Sequence, residues 1–412
     1  MKVTWLRAAC VLVETRGVQI LMDPWLTDGE YYGSWAHYPP YEWEHDLSGI
    51  DYIYVSHIHP DHYSAETMKR LPKVPVLIHS YQIPFLKKNI ESLGFEVREL
   101  PHNERTSLGG GVTINIAAAD DCDPAICGKF FGCSKPGIRS AQIDSMCVIE
   151  GDKVLVNTND CPFELAESVL GKLSRQYPQV DLLMAVYAGA GPYPQCFKMS
   201  EPKKRARAAI KEKFFAEQPL KFAKALNAKV TMPFAGDYLL CGSLSPLNEF
   251  RGVPSIDVFS PDQSLRLDHG ASWEVGSPLP SPAPIDQEAK NKYVSEVLSK
   301  KKLDYETDPM PSISEISTLI EKAIPRLKEK CKEMGFESTT SLLLEDSNAV
   351  YPVLRGERDK ILTIGADRRL LKRILTRKAH WNTAEIGSHL TFDRRPDYFE
   401  RGLHHMVSFL HA

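Results

Sequence analysis

No stretch of this sequence approaches the roughly 20 uninterrupted apolar residues of a bilayer-spanning helix, so a membrane protein is not expected. A basic excess is missing too: 50 Lys and Arg stand against 53 Asp and Glu, a net charge of -3. Nucleic acid, whose binding needs a basic face, is therefore not an expected partner. Met1 to Gly17 carries Lys2, Arg7, Glu14 and Arg16 within its apolar pattern, so it lacks the continuous apolar core of a secretory signal. A disulfide framework is not indicated either, because the 9 cysteines are odd in number, scattered over a long chain, and fit reduced thiols. Cys122, Cys127 and Cys133 share a glycine-bearing insertion, but their spacing matches no zinc-ribbon or iron–sulfur pattern closely. No internal repeat is visible. Together these absences point to a cytoplasmic protein.

What is present is length and apolar content enough for a large core and a smaller one: 412 residues, 43% of them hydrophobic. The chain is organised around Ser56-His57-Ile58-His59-Pro60-Asp61-His62, which follows the apolar run Asp51 to Val55, read as a buried strand. Two histidines two residues apart at a strand end place both imidazoles on one side, and Asp61 and His62 add an acid and a third nitrogen. Residue types of this kind at these offsets read as a metal site, with His57, His59, Asp61 and His62 as ligands.

Before the motif, Val3 to Leu6, Cys10 to Glu14 and Val18 to Met22 read as strands. Pro24 stops strand pairing and leaves the Asp23 carboxylate at the strand's mouth, where it either supports the metal site or initiates a turn. Tyr31 to Trp43, aromatic and proline-rich with His37 inside it, has neither helical nor strand period and reads as a pocket-lining loop. After the motif, Ser64 is a plausible helix N-cap, and strands and helices alternate to Val112–Ala119. Ser145 to Glu150 and Lys153 to Val156 form a hairpin ending at Asp160, which either faces the site or caps the helix beginning near Glu164. The apolar strand Val180 to Tyr187 runs into a flexible turn containing Tyr193. A long helix from about Pro202 to Leu226 follows, with Lys203, Lys204, Arg205, Arg207 and Lys211 near its start. Cations there oppose the helix dipole, so the cluster either binds an anion or forms a solvated face. Lys229 to Met232 is a last strand, leading to Asp237.

The alternating prolines of Ser277 to Pro284 block helix and sheet alike. The expected organisation is a catalytic domain at residues 1–276, a linker at 277–285 and a small α+β domain at 286–412, the last holding a helix from Ser312 to Met334, strands at Ser341–Leu344, Val350–Leu354 and Lys360–Ile364, a helix at Arg368–Leu375 and a terminal helix at Pro396–Leu410.

The His57-x-His59-x-Asp61-His62 motif resembles the metallo-β-lactamase superfamily. The runs Ile20 to Leu26, Ile53 to His62, Val156 to Cys161 and Pro233 to Gly236 are similar to the non-Rieske part of the CMP-N-acetylneuraminate hydroxylase family, and Trp381 to Arg395 is similar to that family's C-terminal region. The resemblance implies an α/β fold, an αββα sandwich, and a bridging-type carboxylate at Asp160. It also implies a further ligand after the strand Val112 to Ala119, where no histidine stands: Asp121 replaces it, His102 reaches over, or the site is incomplete. Asp237 stands where a last ligand histidine is expected. An oxygenase built on mono- or dinuclear iron is implied, with zinc or manganese as alternative metals and a separate ferredoxin or Rieske-type electron donor. A metallohydrolase, which needs no electrons, is the alternative, and a metal-depleted scaffold is a third reading. Asp61 and Asp160 are the catalytic candidates. The resemblance further suggests a small polar or nucleotide-sugar-like substrate, held by His37, Tyr193, Arg205 and Arg207.

Overall fold

The computed structural model describes residues 1–81, 84–118, 144–282 and 285–412. Strands with apolar residues on both faces dominate the first part of the chain, and such strands must be covered twice. In Cys10–Thr15 and Val18–Met22, Val11, Val13, Ile20 and Met22 point one way, and Leu12 and Leu21 the other. A seven-stranded sheet results, in the spatial order Ser272–Glu274, Lys2–Arg7, Cys10–Thr15, Val18–Met22, Tyr52–Tyr54, Val76–His79, Val97–Leu100. The last four of these strands are parallel. A six-stranded sheet faces it, ordered Ala228–Phe234, Val180–Val186, Val154–Asn157, Ser145–Glu150, Val112–Ala118, Arg105–Gly109.

Between the sheets lies the largest core, where Val11, Val13, Ile20 and Met22 meet Ile114, Ile116, Cys147, Ile149, Leu182 and Met184. On the outer side of the first sheet, Leu12, Leu21 and Ile53 pack on Leu86 and Ile90 of the helix Phe85–Ser92. Outside the second, Val148, Val156 and Leu183 pack on Val169 and Leu170 of the helix Phe163–Gln176 and on Phe222 of the helix Glu201–Leu226. Helix, sheet, sheet, helix is the αββα sandwich expected from the sequence.

The small α+β unit also forms. Its sheet runs Val350–Leu354, Thr340–Glu345, Glu357–Gly365, Thr391–Arg395, covered by the helices Ile313–Glu333 and Arg368–Leu375. The first of these starts where read, with the Ser312 hydroxyl accepting from the Glu315 N–H at 3.1 Å. The terminal helix is shorter than the sequence suggests, Arg401–Val407, because Pro396 and the residues after it form a turn. The core of this unit is shared: Cys196 and Phe197, from the segment after the strand Val180–Val186, are buried in it, and Phe197 bridges to Phe392. The helix Gln287–Glu296, beyond the proline-rich stretch, packs back on the sandwich, with Tyr293 against Tyr38 at 5.5 Å between ring centroids.

The segment Tyr31–Trp43 is more ordered than its lack of period suggests. Trp35–Ala36 pairs with Leu239–Leu240, and Trp35 stacks on Tyr238 with centroids 3.3 Å apart. Tyr31 and Tyr32 adopt left-handed conformations, φ 53 and 57, which turn the chain back under the motif loop.

Candidate metal centre

The strand Val18–Met22 ends at Asp23, which takes φ 45 and donates its N–H to the Tyr54 carbonyl, so its carboxylate turns beneath the neighbouring strand's exit. Asp23 has no solvent exposure. It accepts from the Ser56 N–H at 2.7 Å and the Ser56 hydroxyl at 2.9 Å, and it pairs with His62 Nδ1 at 2.9 Å. Since a carboxylate here accepts, His62 Nδ1 carries the proton, and Nε2 is the nitrogen turned to the site. His57 follows the same logic. The Ser56 hydroxyl donates to Asp23 and accepts from His57 Nδ1 at 2.9 Å, which leaves His57 Nε2 as a lone-pair donor.

Two donor clusters share His57: His57, His62 and Asp160; and His57, His59 and Asp144. His57 Nε2 is 2.9 Å from His59 Nδ1, 3.6 Å from Asp144 Oδ1 and 4.0 Å from Asp160 Oδ2. His62 Nε2 is 3.4 Å from Asp160 Oδ1 and 3.6 Å from Asp61 Oδ2. A cation with bonds of about 2.0–2.2 Å to nitrogen and oxygen spaces its ligand atoms roughly 3 Å apart, so these residues fit a metal with modest tightening. The alternative role for Asp160 is excluded, because Pro162 occupies the helix N-cap position and no side chain caps it.

Asp144 was not legible as a candidate. It immediately precedes the strand Ser145–Glu150, and the sheet brings it in. The Ser145 hydroxyl donates to the Ser56 carbonyl at 2.8 Å, and Asn159 Nδ2 donates to the Ser145 carbonyl at 3.1 Å. These bonds tie the motif loop, Asp144 and Asp160 into one rigid floor. A carboxylate at a strand's mouth was the signal, the same one that marks Asp23 and Asp160. Tyr31 was missed as well: its hydroxyl donates to Asp61 Oδ1 at 2.5 Å.

Other expected residues go elsewhere. Asp237 is a correction: it pairs with His269 Nε2 at 2.8 Å and lies outside both donor clusters. Burial alone would raise its pKa, but the His269 hydrogen bond and charge bring it down to about 2. Arg205 is a second correction, since its guanidinium is salt-bridged to Glu201 at 2.8 Å and to Glu249 on the exposed helix face. Arg207 on the same helix is half-buried. His37 is buried rather than lining a mouth, with Nδ1 3.1 Å from Asp28 and its ring on Trp25. Tyr193 packs edge-on against Phe197. His102 Nδ1 lies 3.3 Å from His79 Nε2 and also outside the donor clusters. Asp121, Cys122, Cys127 and Cys133 fall outside the described residues.

The electrostatics separate the donors into two kinds. Burial, with help from neighbouring imidazoles, lowers His57 well below the ordinary histidine value, and burial lowers His59 too, so both are neutral and ready to ligate. For His62 burial acts the same way, but Asp160, Asp61 and Asp23 outweigh it and raise its pKa well above the ordinary value. Burial and the Asp160 charge raise Asp144 well above the carboxylate range. Asp160 is lowered, because His62 and His59 overcome its burial. In the metal-free protein the dissociable protons therefore sit on His62 and Asp144, and a cation must displace them. Metal affinity is expected to rise with pH by about tenfold per unit for each proton released. Chelator-competition titrations at several pH values check the sign, and a pH-independent affinity would contradict it.

Comparison with known proteins follows this geometry. Residues 2–120 match the model of the beta-lactamase superfamily domain. Over 277 residues the chain is 29% identical to a protein of Mycolicibacterium smegmatis named for a Rieske 2Fe-2S iron-sulfur centre, a match covering 65% of this chain and 49% of that one. It is 27% identical over 261 residues to the cytidine monophosphate-N-acetylneuraminic acid hydroxylase of Xenopus laevis, covering 58% of this chain and 38% of that one. The matched region thus spans half or less of the length of these relatives. Among solved structures, similar ones are the diiron beta-hydroxylase CmlA from Streptomyces venezuelae (TM-score 0.40, 17% identity, 62% of this chain and 48% of that one) and an isothiocyanate hydrolase from Delia radicum gut bacteria (TM-score 0.43, 16% identity, 66% and 99%).

Proposed function

We propose, from the match of residues 2–120 to the beta-lactamase superfamily domain, that the chain is a metal-dependent enzyme, a non-haem iron hydroxylase of a small polar substrate. The observation that carries this reading is the pair of donor clusters, each made of two imidazoles and one carboxylate. Two histidines and one acid with the remaining positions open is the ligand set that suits iron in oxygenases. Either His57, His59 and Asp144 or His57, His62 and Asp160 would hold an ion, with Asp61 3.6 Å from His62 Nε2 beside the second set. Bound there, the metal supplies dioxygen activation. The chain supplies the rest: Asp23 and Ser56 fix which imidazole nitrogens would face the ion. Asp160, whose side chain is 26% exposed, and the half-buried His59 are donors open to an arriving substrate.

The relatives named as a hydroxylase and for a Rieske centre support an electron source of the ferredoxin or Rieske type. The same resemblance is what favours a nucleotide-sugar-like substrate, since Arg205 is committed to surface carboxylates.

A metallohydrolase using zinc, manganese or iron is the competing reading, favoured by one feature. Asp144 and Asp160 flank His57 and would allow a second cation to be held there, whose chemistry would be to lower the pKa of a bound water. Iron-loaded protein, given a chemical reductant or reduced ferredoxin, is expected to consume dioxygen in an electrode cell. Hydrolysis of ester or lactone probes by zinc-loaded protein, with no oxygen uptake by the iron form, would favour the hydrolase instead.

A further inference from the structure

The small α+β unit reaches into the metal centre. It does so through His389, which follows the helix Trp381–Ile386, is buried, and bonds the residue beneath the motif loop. Its Nε2 lies 2.6 Å from the Tyr31 carbonyl and its Nδ1 3.1 Å from the Tyr305 hydroxyl. A carbonyl only accepts, so Nε2 donates to Tyr31 and Nδ1 accepts from Tyr305, which leaves the ring with one fixed tautomer.

Tyr31 is the middle of this chain of contacts. Its carbonyl is held by His389 and its hydroxyl holds Asp61 at 2.5 Å. Its backbone is left-handed, as is that of Tyr32, whose hydroxyl accepts from the His380 N–H at 2.7 Å. Aromatic residues rarely adopt that conformation, so bonds from outside the loop are needed to keep it. The fit leaves no slack: a Cβ on Gly387 would stand 2.9 Å from the Tyr31 Cβ.

We propose that the α+β unit sets the geometry of the metal ligands, with His389 acting through Tyr31 on Asp61. His389 and Tyr31 are positioning residues. The inference rests on the metal-centre reading given above, and it assigns the second unit a part in the site. Outer partners that orient ligands are commonly worth about 10–100-fold in metal affinity.

The test uses the full chain, stripped with a chelator and titrated with cobalt(II) chloride, reading both the dissociation constant and the visible cobalt spectrum. Tyr31→Phe and His389→Ala are each expected to weaken binding about tenfold and to shift the spectrum. His389→Gln, which keeps a donor where Nε2 stands, restores both. Because His389 acts through Tyr31, the Tyr31→Phe/His389→Ala double variant binds no more weakly than Tyr31→Phe. Wild-type affinity and spectrum in His389→Ala overturn the inference while leaving the metal centre standing, and so does a double variant whose losses simply multiply. Should His389→Ala fail to fold, Tyr31→Phe decides alone, and wild-type affinity and spectrum in it overturn the inference. Wild-type protein that takes up no cobalt overturns the metal-centre reading itself, and this inference with it.

Discussion

His57→Ala protein is expected to purify with essentially no bound metal while keeping the wild-type circular dichroism spectrum. His57 is the one residue common to both donor clusters, so its loss opens both at once. Removing a direct ligand should cost more than the roughly 10–100-fold typical of an outer partner. The fold should survive because the cores do not need the site. The inter-sheet core is apolar from Val3 to Val275, and the outer cores close on Leu86, Ile90, Val169 and Phe222 without any of the candidate ligands. His59→Ala should lose metal too, though less completely, since His57, His62 and Asp160 remain. Elemental analysis beside circular dichroism reads both halves of the expectation, and wild-type metal content in His57→Ala would remove the basis of the proposed function.

Asp23→Ala should act in the opposite way, on stability as much as on metal. The carboxylate is fully buried and meets three donors, the Ser56 N–H, the Ser56 hydroxyl and His62 Nδ1. Burial leaves its pKa raised, with the His62 charge and these hydrogen bonds opposing that rise, so the ring and the acid sustain each other. Alanine leaves a raised-pKa imidazole and a backbone donor without partners in the interior, a loss of about 3–5 kcal/mol for a broken buried pair. Asn keeps one acceptor and the volume, so Asp23→Asn should lose less. Urea unfolding of the metal-free proteins measures the difference, and a wild-type midpoint for Asp23→Ala would mean that the Asp23, Ser56 and His62 network holds nothing together.

How much of this was legible follows from how far apart in the chain the partners lie. His57, His59, Asp61 and His62 are neighbours in sequence, and a strand exit alone puts them on one side, so their pattern could be read directly. The sandwich was legible through resemblance, since runs such as Ile20 to Leu26 and Ile53 to His62 are similar to those of a known family. Asp144 was not, because what brings it in is the pairing of Ser145–Glu150 with its neighbours and the bonds of Ser145 to Ser56, between residues 89 apart. Tyr31 depends on a left-handed turn that no periodicity announces. Asp237 looked like a ligand by position, and only folding reveals that His269, 32 residues on, has taken it. Arg205 could have been judged better from the sequence, since Glu201 stands four residues before it on the same helix face, the spacing of an ordinary surface pair.

The most direct test of the metal centre is a crystal of the iron-loaded protein, measured with X-rays at the iron absorption edge. The account predicts an anomalous peak bonded by His57, with Asp144 or Asp160 completing its ligand set at about 2.0–2.2 Å. A peak elsewhere, or a peak at the motif with both carboxylates more than about 4 Å away, beyond ligation and hydrogen bonding alike, would contradict it.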